Sequence, residues 1–432
     1  MYERLKGFRD FYPDEMGARR AVIDVMEETA RRYGFREIGT PALERAQMYI
    51  DKSGEGIVDE LYAFEDKGGR HVTLTPELTP TVARMVVDRG QALQKPIKWY
   101  STRPFWRYEQ VQQGRFREFY QINADIFGSA APEADAEVLA YCADALTALG
   151  LTDEEFEFRV SHRDILSGLL ESFEGEIDVR AAIRAVDKSE KLARSEYHDE
   201  LVAAGLSADQ AQTFDDLLSR GELNEIAEAA GTDRVDAAVA NLREVLAVAE
   251  DFGAREYCTL SLETARGLDY YTGVVFECFD STGEVSRSVF GGGRYDDLIE
   301  DFGGPPTPAV GVAPGFAPLS LLLERAGVWP TEAPTTDYYV LQVGDTRPVA
   351  ARIAGQLRDR GHVVETDVTD RGFGAQLDYA DGINAETVVI VGERDLAEDA
   401  ITIKDMASGN QVQVPVDAFP GEHERPTFDD YA

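Results

Sequence analysis

Two β-forming runs, residues 96–108 and 119–127, flank the polar loop Gln110-Val111-Gln112-Gln113-Gly114, and this pairing constrains the chain more than any other feature. It is the pattern of an antiparallel hairpin, so the domain around it is expected to be built on an antiparallel sheet. A further strand is expected over 270–279. Residues 35–38 form another, and because they run into Thr40-Pro41, where proline removes a ladder donor, that strand belongs at an edge or an interface. Ahead of it, Asp14 can cap a helix whose Val22, Ile23, Val25, Met26 and Ala30 fall at helical spacing, and Gly34 supplies the stop. From 164 to 254 the pattern changes to Ala, Asp, Glu, Leu and Arg with few glycine turns, which reads as an inserted helical domain. A proline-containing linker, 328–335, then marks a boundary. Beyond it, strands at 338–343, 362–368 and 387–391 alternate with helices at 349–357 and 373–379, the order of a small α/β unit. The expected organisation is an α+β domain over 1–327 with a helical insertion at 164–254, and an α/β domain over 336–432.

Composition narrows the function. With 432 residues, two or three compact units are expected, and 44% hydrophobic residues exclude a disordered chain. There is no run of about 18 apolar residues and no apolar stretch at the amino terminus, so a soluble, cytoplasmic protein with no membrane partner is expected. Cys142, Cys258 and Cys278 are scattered and form no disulfide or zinc pattern. Against 43 Lys and Arg stand 80 Asp and Glu, a formal net charge of -37. Such a field repels nucleic acid in dilute salt. An acid-rich, lysine-poor surface points to a halophile, and in molar salt the screening length falls to about 3 Å, which quenches that repulsion. Composition alone leaves both an RNA-binding protein and one that avoids nucleic acid open.

Three stretches carry chemistry. In Arg103-Pro104-Phe105-Trp106-Arg107-Tyr108-Glu109, side chains two apart share a strand face, which puts Arg107 and Glu109 on one side of the hairpin, with Arg115 and Phe119 following. Guanidinium forks match phosphate oxygens, an aromatic face suits a purine, and a carboxylate accepts from an amino group. Together they describe a nucleotide held on a sheet, and no P-loop occurs to hold one otherwise. A salt-bridged sheet surface is the bland alternative. The second stretch is Arg266-Gly267-Leu268-Asp269-Tyr270-Tyr271-Thr272-Gly273. In the third, Phe290-Gly291-Gly292-Gly293-Arg294-Tyr295, the glycines permit close backbone approach to another chain or a ligand.

These stretches resemble the histidyl-tRNA synthetases. Residues 266–273 and 288–295 are similar to the two motifs specific to that family, Arg107-Tyr108-Glu109 with Phe119 to the second class II motif, and 34–41 to the first, which lies at a dimer interface. Lys6-Gly7-Phe8-Arg9-Asp10-Phe11-Tyr12-Pro13 resembles the family's opening, and 374–381 with 403–405 its anticodon-binding domain. The resemblance implies a class II synthetase fold whose catalytic domain spans 1–327. It also implies an enzyme that joins histidine to ATP, with Mg²⁺ on the outer phosphates, and passes histidine to tRNA(His), as a homodimer. By resemblance Arg107 and Arg266 hold the α-phosphate and are catalytic, Arg266 also reaching the substrate carboxylate. Arg115 holds the γ-phosphate, Phe119 stacks on adenine and Glu109 accepts from its amino group. Glu77 and Thr79 bind the ammonium, Gln121, Asp125 and Tyr271 read the imidazole, and Tyr270 lines its pocket; no metal ligands are assigned. Family members often carry glutamate where Asp125 stands. The chain departs from the family at the third class II motif, which ends in Gly-Leu-Glu-Arg; here it reads Gly315-Phe316-Ala317-Pro318, so the arginine that clamps adenine is replaced by proline. That loss keeps in view a histidine-sensing regulatory paralogue associated with ATP phosphoribosyltransferase, although such paralogues generally lack the last domain.

Overall fold

The computed structural model describes residues 2–53, 55–265, 270–285, 287–331 and 336–421. They form two compact units, one of residues up to Phe11 with Arg19–Pro330, the other of Tyr12–Ala18 with residues from Thr331 on.

The first unit is organised by an eight-stranded sheet in the order Arg36–Glu37, Ile97–Trp106, Glu118–Phe127, Ala309–Val312, Phe290–Arg294, Val274–Asp280, Phe156–His162 and Cys258–Leu260. Its hairpin pairs Ile97 with Phe127 through Trp106 with Glu118, antiparallel throughout. The pairs within the sheet interior are antiparallel, and the short strands Arg36–Glu37 and Cys258–Leu260 add parallel pairs at the two edges. The strand before Thr40-Pro41 thus sits at an edge, where a missing donor costs nothing. One face of the sheet is covered by the helix Pro132–Ala148, which buries Val138, Leu139, Tyr141, Cys142 and Leu146. Helices from Arg163–Ser172 to Asp233–Asp251 follow one another between the strands Phe156–His162 and Cys258–Leu260, with Asp178, Ser207 and Thr232 side chains accepting from backbone N–H groups as caps.

Two local features shape the sheet near its centre. A Cβ on Gly292 would collide with the Gly311 carbonyl oxygen, so the glycine triplet lets two strands approach each other. Arg294, at the end of the same strand, is buried against Asp135 of the covering helix, Nη2 to Oδ2 2.5 Å. At the amino terminus, the Gly7 carbonyl accepts from the Arg117 and Glu118 N–H groups at 2.9 and 3.2 Å, which pins the chain at the entry to the strand Glu118–Phe127. Asp14 lies within the first turn of Pro13–Arg32, where a carboxylate complements the helix dipole, instead of preceding the helix as a cap.

In the second unit the sheet runs Val364–Thr366, Thr336–Val343, Ala385–Gly392, Ala400–Asp405, Gln411–Pro415. The first three strands are parallel, and the last two add antiparallel pairs that sequence reasoning did not assign. Helices Arg347–Asp359 and Phe373–Gly382 accompany it. The buried Gln376 amide donates to the carbonyls of Gln342 and Arg371 at 2.9 and 2.8 Å, tying the second helix to the strand Thr336–Val343. Among the described residues no helix is long and apolar enough to cross a membrane.

Candidate active site

Alternation on one strand builds the floor of a cavity. Along Glu118–Phe127, Phe119, Gln121, Asn123 and Asp125 are spaced by two and all four line the same opening. The cavity, about 340 Å³, also receives Glu77, Thr79, Arg107, Glu109, Arg115, Tyr270 and Tyr271. Every site residue singled out in the sequence therefore faces it, except Arg266, which lies outside the described residues.

At one end the cavity is cationic. The strand Ile97–Trp106 stops before Arg107, and the Glu109 N–H turns back to the Arg107 carbonyl at 2.9 Å. Strand alternation does not apply there, yet both side chains line the cavity. Arg107 Nε donates to the Pro76 carbonyl at 3.0 Å, and its guanidinium lies 5.5 Å from the centre of the Phe119 ring. No carboxylate pairs with it among the described residues. Arg103, four residues earlier, plays a different part, since it donates to Pro41 O at 2.8 Å and Thr75 Oγ1 at 2.9 Å and is locked into the fold. Arg115 donates to both Glu109 oxygens, through Nη2 at 2.6 Å and through Nε. Burial pushes the Glu109 carboxyl up, but the Arg115 hydrogen bond and the charges of Arg107, Arg115 and Arg287 outweigh it and hold the group below its ordinary range. Glu109 therefore stays ionised as an acceptor.

Elsewhere the cavity is lined by Gln121, Asn123, Tyr270, Tyr271 and Tyr295 and by two buried carboxyls, Asp125 and Glu77. Asp125 is 4% exposed, and burial raises its carboxyl to about 7, against which the hydrogen bond from Tyr295 works only partly. The Tyr295 hydroxyl donates to Oδ1 at 2.5 Å. A Cβ at Gly311 would overlap that oxygen, so the neighbouring strand has no side chain there. Tyr270 stands between Tyr271 and Tyr295, ring centroids 5.0 and 5.8 Å apart. Glu77 is buried at the entry to the helix Thr79–Arg89, where the Tyr49 hydroxyl, 2.9 Å from Thr81 Oγ1, packs beneath it.

Sequence reasoning missed Tyr295, Asn123 and Arg287 as cavity residues. Asn123 was readable from its spacing, and Tyr295 ends a motif already singled out. At the departure from the third motif, Pro318 lines the cavity near the start of the helix Phe316–Arg325. Arg325 pairs with Asp280 at 3.0 Å and donates to the Glu155 carbonyl at 3.1 Å, so it does not reach toward position 318.

The family model described as histidyl-tRNA synthetase matches residues 7–319, and that described as an anticodon binding domain matches 337–424. The chain belongs to the histidyl-tRNA synthetase family. It is 72% identical to a histidine–tRNA ligase of Natronomonas pharaonis over 432 residues, covering 100% of each chain. It is also 72% identical over 433 residues to that of Haloquadratum walsbyi, again covering 100% of both. Both relatives come from halophilic archaea, as the acidic composition led one to expect. Among solved structures, the histidyl-tRNA synthetase of Nostoc sp. PCC 7120 superimposes with a TM-score of 0.80 at 26% identity, covering 96% of this chain and 97% of its own. The expected class II fold, with its antiparallel sheet and separate last domain, is thereby established as that of the family.

Proposed function

We propose that this enzyme activates histidine with ATP and transfers it to the 3′ end of tRNA(His). The observation that carries the reading is one cavity that gathers the guanidinium groups of Arg107 and Arg115 with the buried carboxyls of Glu77 and Asp125. The histidine carboxylate oxygen attacks the α-phosphorus, the bond to the β-phosphate oxygen breaks, and pyrophosphate leaves. Two anions must meet, so fixed positive charge aimed at the phosphorus lowers the barrier. Arg107 supplies it from the hairpin and Arg266 from the family motif, the latter also reaching the substrate carboxylate. Phe119 takes the adenine face, Glu109 accepts from its amino group, and Arg115 holds the γ-phosphate. Glu77 and Thr79 accept from the substrate ammonium. Asp125, Gln121 and Tyr271 read the imidazole beside Tyr270, and a side chain without the ring N–H would leave the Asp125 carboxyl with only the Tyr295 hydroxyl, on Oδ1, as a donor.

Mg²⁺ would travel with ATP. Among the described residues no group of three or more metal-ligating side chains is gathered, so the donors fit an ion held mainly by phosphate oxygens and water, with Glu277 as the cavity carboxylate nearest in kind. When bound, the ion neutralises charge on the outer phosphates. The last domain, over 336–432, is assigned to the anticodon of tRNA(His), with 328–335 as linker and 164–254 as insertion in the catalytic domain. A homodimer joined near residues 34–41 completes the reading. The regulatory alternative gains no support, since the full-length relatives are histidine–tRNA ligases.

The purified protein is expected to exchange pyrophosphate into ATP only when histidine is present, and fastest in molar salt, where screening quenches the self-repulsion of a chain with net charge -37. Equal exchange with proline or threonine would remove the pocket assignment.

A further inference from the structure

Arg287 is the cavity residue to which neither the sequence motifs nor the reaction above gives a role. It enters from the segment before the strand Phe290–Arg294 and shares the cationic end with Arg115 and Glu109. The only hydrogen bond of its side chain among the described residues is a long one, Nη1 to the Gln113 carbonyl at 3.4 Å. No carboxylate among the described residues forms an ion pair with it, and Arg115 donates to both oxygens of Glu109. In a chain with 80 acidic residues, the missing partner does not reflect a shortage of acids. Burial, and then the like charge of Arg115, hold its guanidinium below the ordinary arginine range, with Glu109 offsetting only part. Two guanidinium groups kept together at the cost of mutual repulsion form a receptor for an anion carrying more than one charge.

Its position agrees. A Cβ built on Gly114 would lie 3.8 Å from Arg287 Nη1 and 3.8 Å from the Pro318 Cα, so the guanidinium and the uncharged position 318 flank the same point. We propose that Arg287 is an ATP-binding residue that holds the outer phosphates together with Arg115, supplying from the segment before the strand Phe290–Arg294 a charge that the helix at Pro318 does not. This rests on the cavity being the ATP site.

The test is steady-state exchange kinetics on the full chain with Arg287→Ala and the charge-keeping Arg287→Lys, varying ATP, pyrophosphate and histidine in turn. Loss of a charged hydrogen-bonding partner predicts that KM for ATP and for pyrophosphate rises about tenfold to hundredfold in Arg287→Ala, and less in Arg287→Lys. KM for histidine and the melting temperature are expected to stay as in the unaltered enzyme. An unchanged KM for ATP would overturn the role, and a rise for ATP with none for pyrophosphate would place Arg287 at the nucleoside instead. Failure of the unaltered protein to exchange at all would instead remove the ATP-site reading on which the proposal stands.

Discussion

Arg107→Ala is expected to lower the rate of histidine-dependent pyrophosphate exchange by about a thousandfold while leaving the melting temperature nearly unchanged. The size follows from what the side chain meets. Removing one preorganised donor from a developing negative charge costs on the order of 10²–10³ in kcat, and a full positive charge stands at the upper end. Stability should be spared because the Arg107 side chain forms no ion pair among the described residues and makes one hydrogen bond, to the Pro76 carbonyl. Most of the loss should appear in kcat, with KM for ATP moving less, because the charge on phosphorus grows toward the pentavalent transition state. This separates Arg107 from Arg287, whose removal should act on KM. If Arg107 and Arg266 converge on one phosphorus atom, the double variant should lose far less than the product of the two single losses. Strictly multiplicative losses would mean that the two act on different atoms, and near-normal turnover of Arg107→Ala would end its assignment.

How much of this was readable depends on how local each signal is. The hairpin was legible because its strands are long and its loop polar, whereas Gln121 and Asp125 were named from the family resemblance, and the structure shows them with Phe119 at alternate positions of one strand. The helical character of residues 164–254 was legible from composition, since helices need only neighbouring residues. The strand Phe290–Arg294 was not: three glycines told only of close backbone approach to another chain or a ligand, and the contact of Gly292 with the Gly311 carbonyl shows that the approach is to a neighbouring strand. The strand Ala400–Asp405 buries Ile401 and Ile403 in plain alternation, but a run that short competes with any loop. Arg287 was invisible for a stronger reason. Its neighbours Gln113, Arg115 and Pro318 are remote in sequence, so its place in the cavity is a property of the tertiary fold alone.

Asp125→Asn should separate stability from function, gaining the first while losing the second. Burial raises the Asp125 carboxyl to about 7 in the folded protein, whereas an unfolded chain releases the same proton near its ordinary 3.8. Between those values the folded state binds more protons than the unfolded one, so stability falls as pH rises through that window, and the full cost is present above pH ~7. Each tenfold change in proton affinity is worth about 1.4 kcal/mol, which makes ~4 kcal/mol an upper limit on that cost. An asparagine never ionises, and its oxygen can still accept from the Tyr295 hydroxyl. The variant is therefore expected to melt about 5 °C higher than the unaltered protein at pH 8, and at nearly the same temperature at pH 4. Activity should move the other way. A carboxylate answers the imidazole with charge and two acceptor oxygens, whereas an amide turns a second donor toward the ring and leaves one of the two groups unsatisfied. The expected loss is about a hundredfold or more in kcat/KM for histidine, with KM for ATP little changed. A variant that melts lower at pH 8 would mean that the Asp125 charge is compensated in the folded state. One that binds histidine normally would move imidazole recognition to Gln121 and Tyr271.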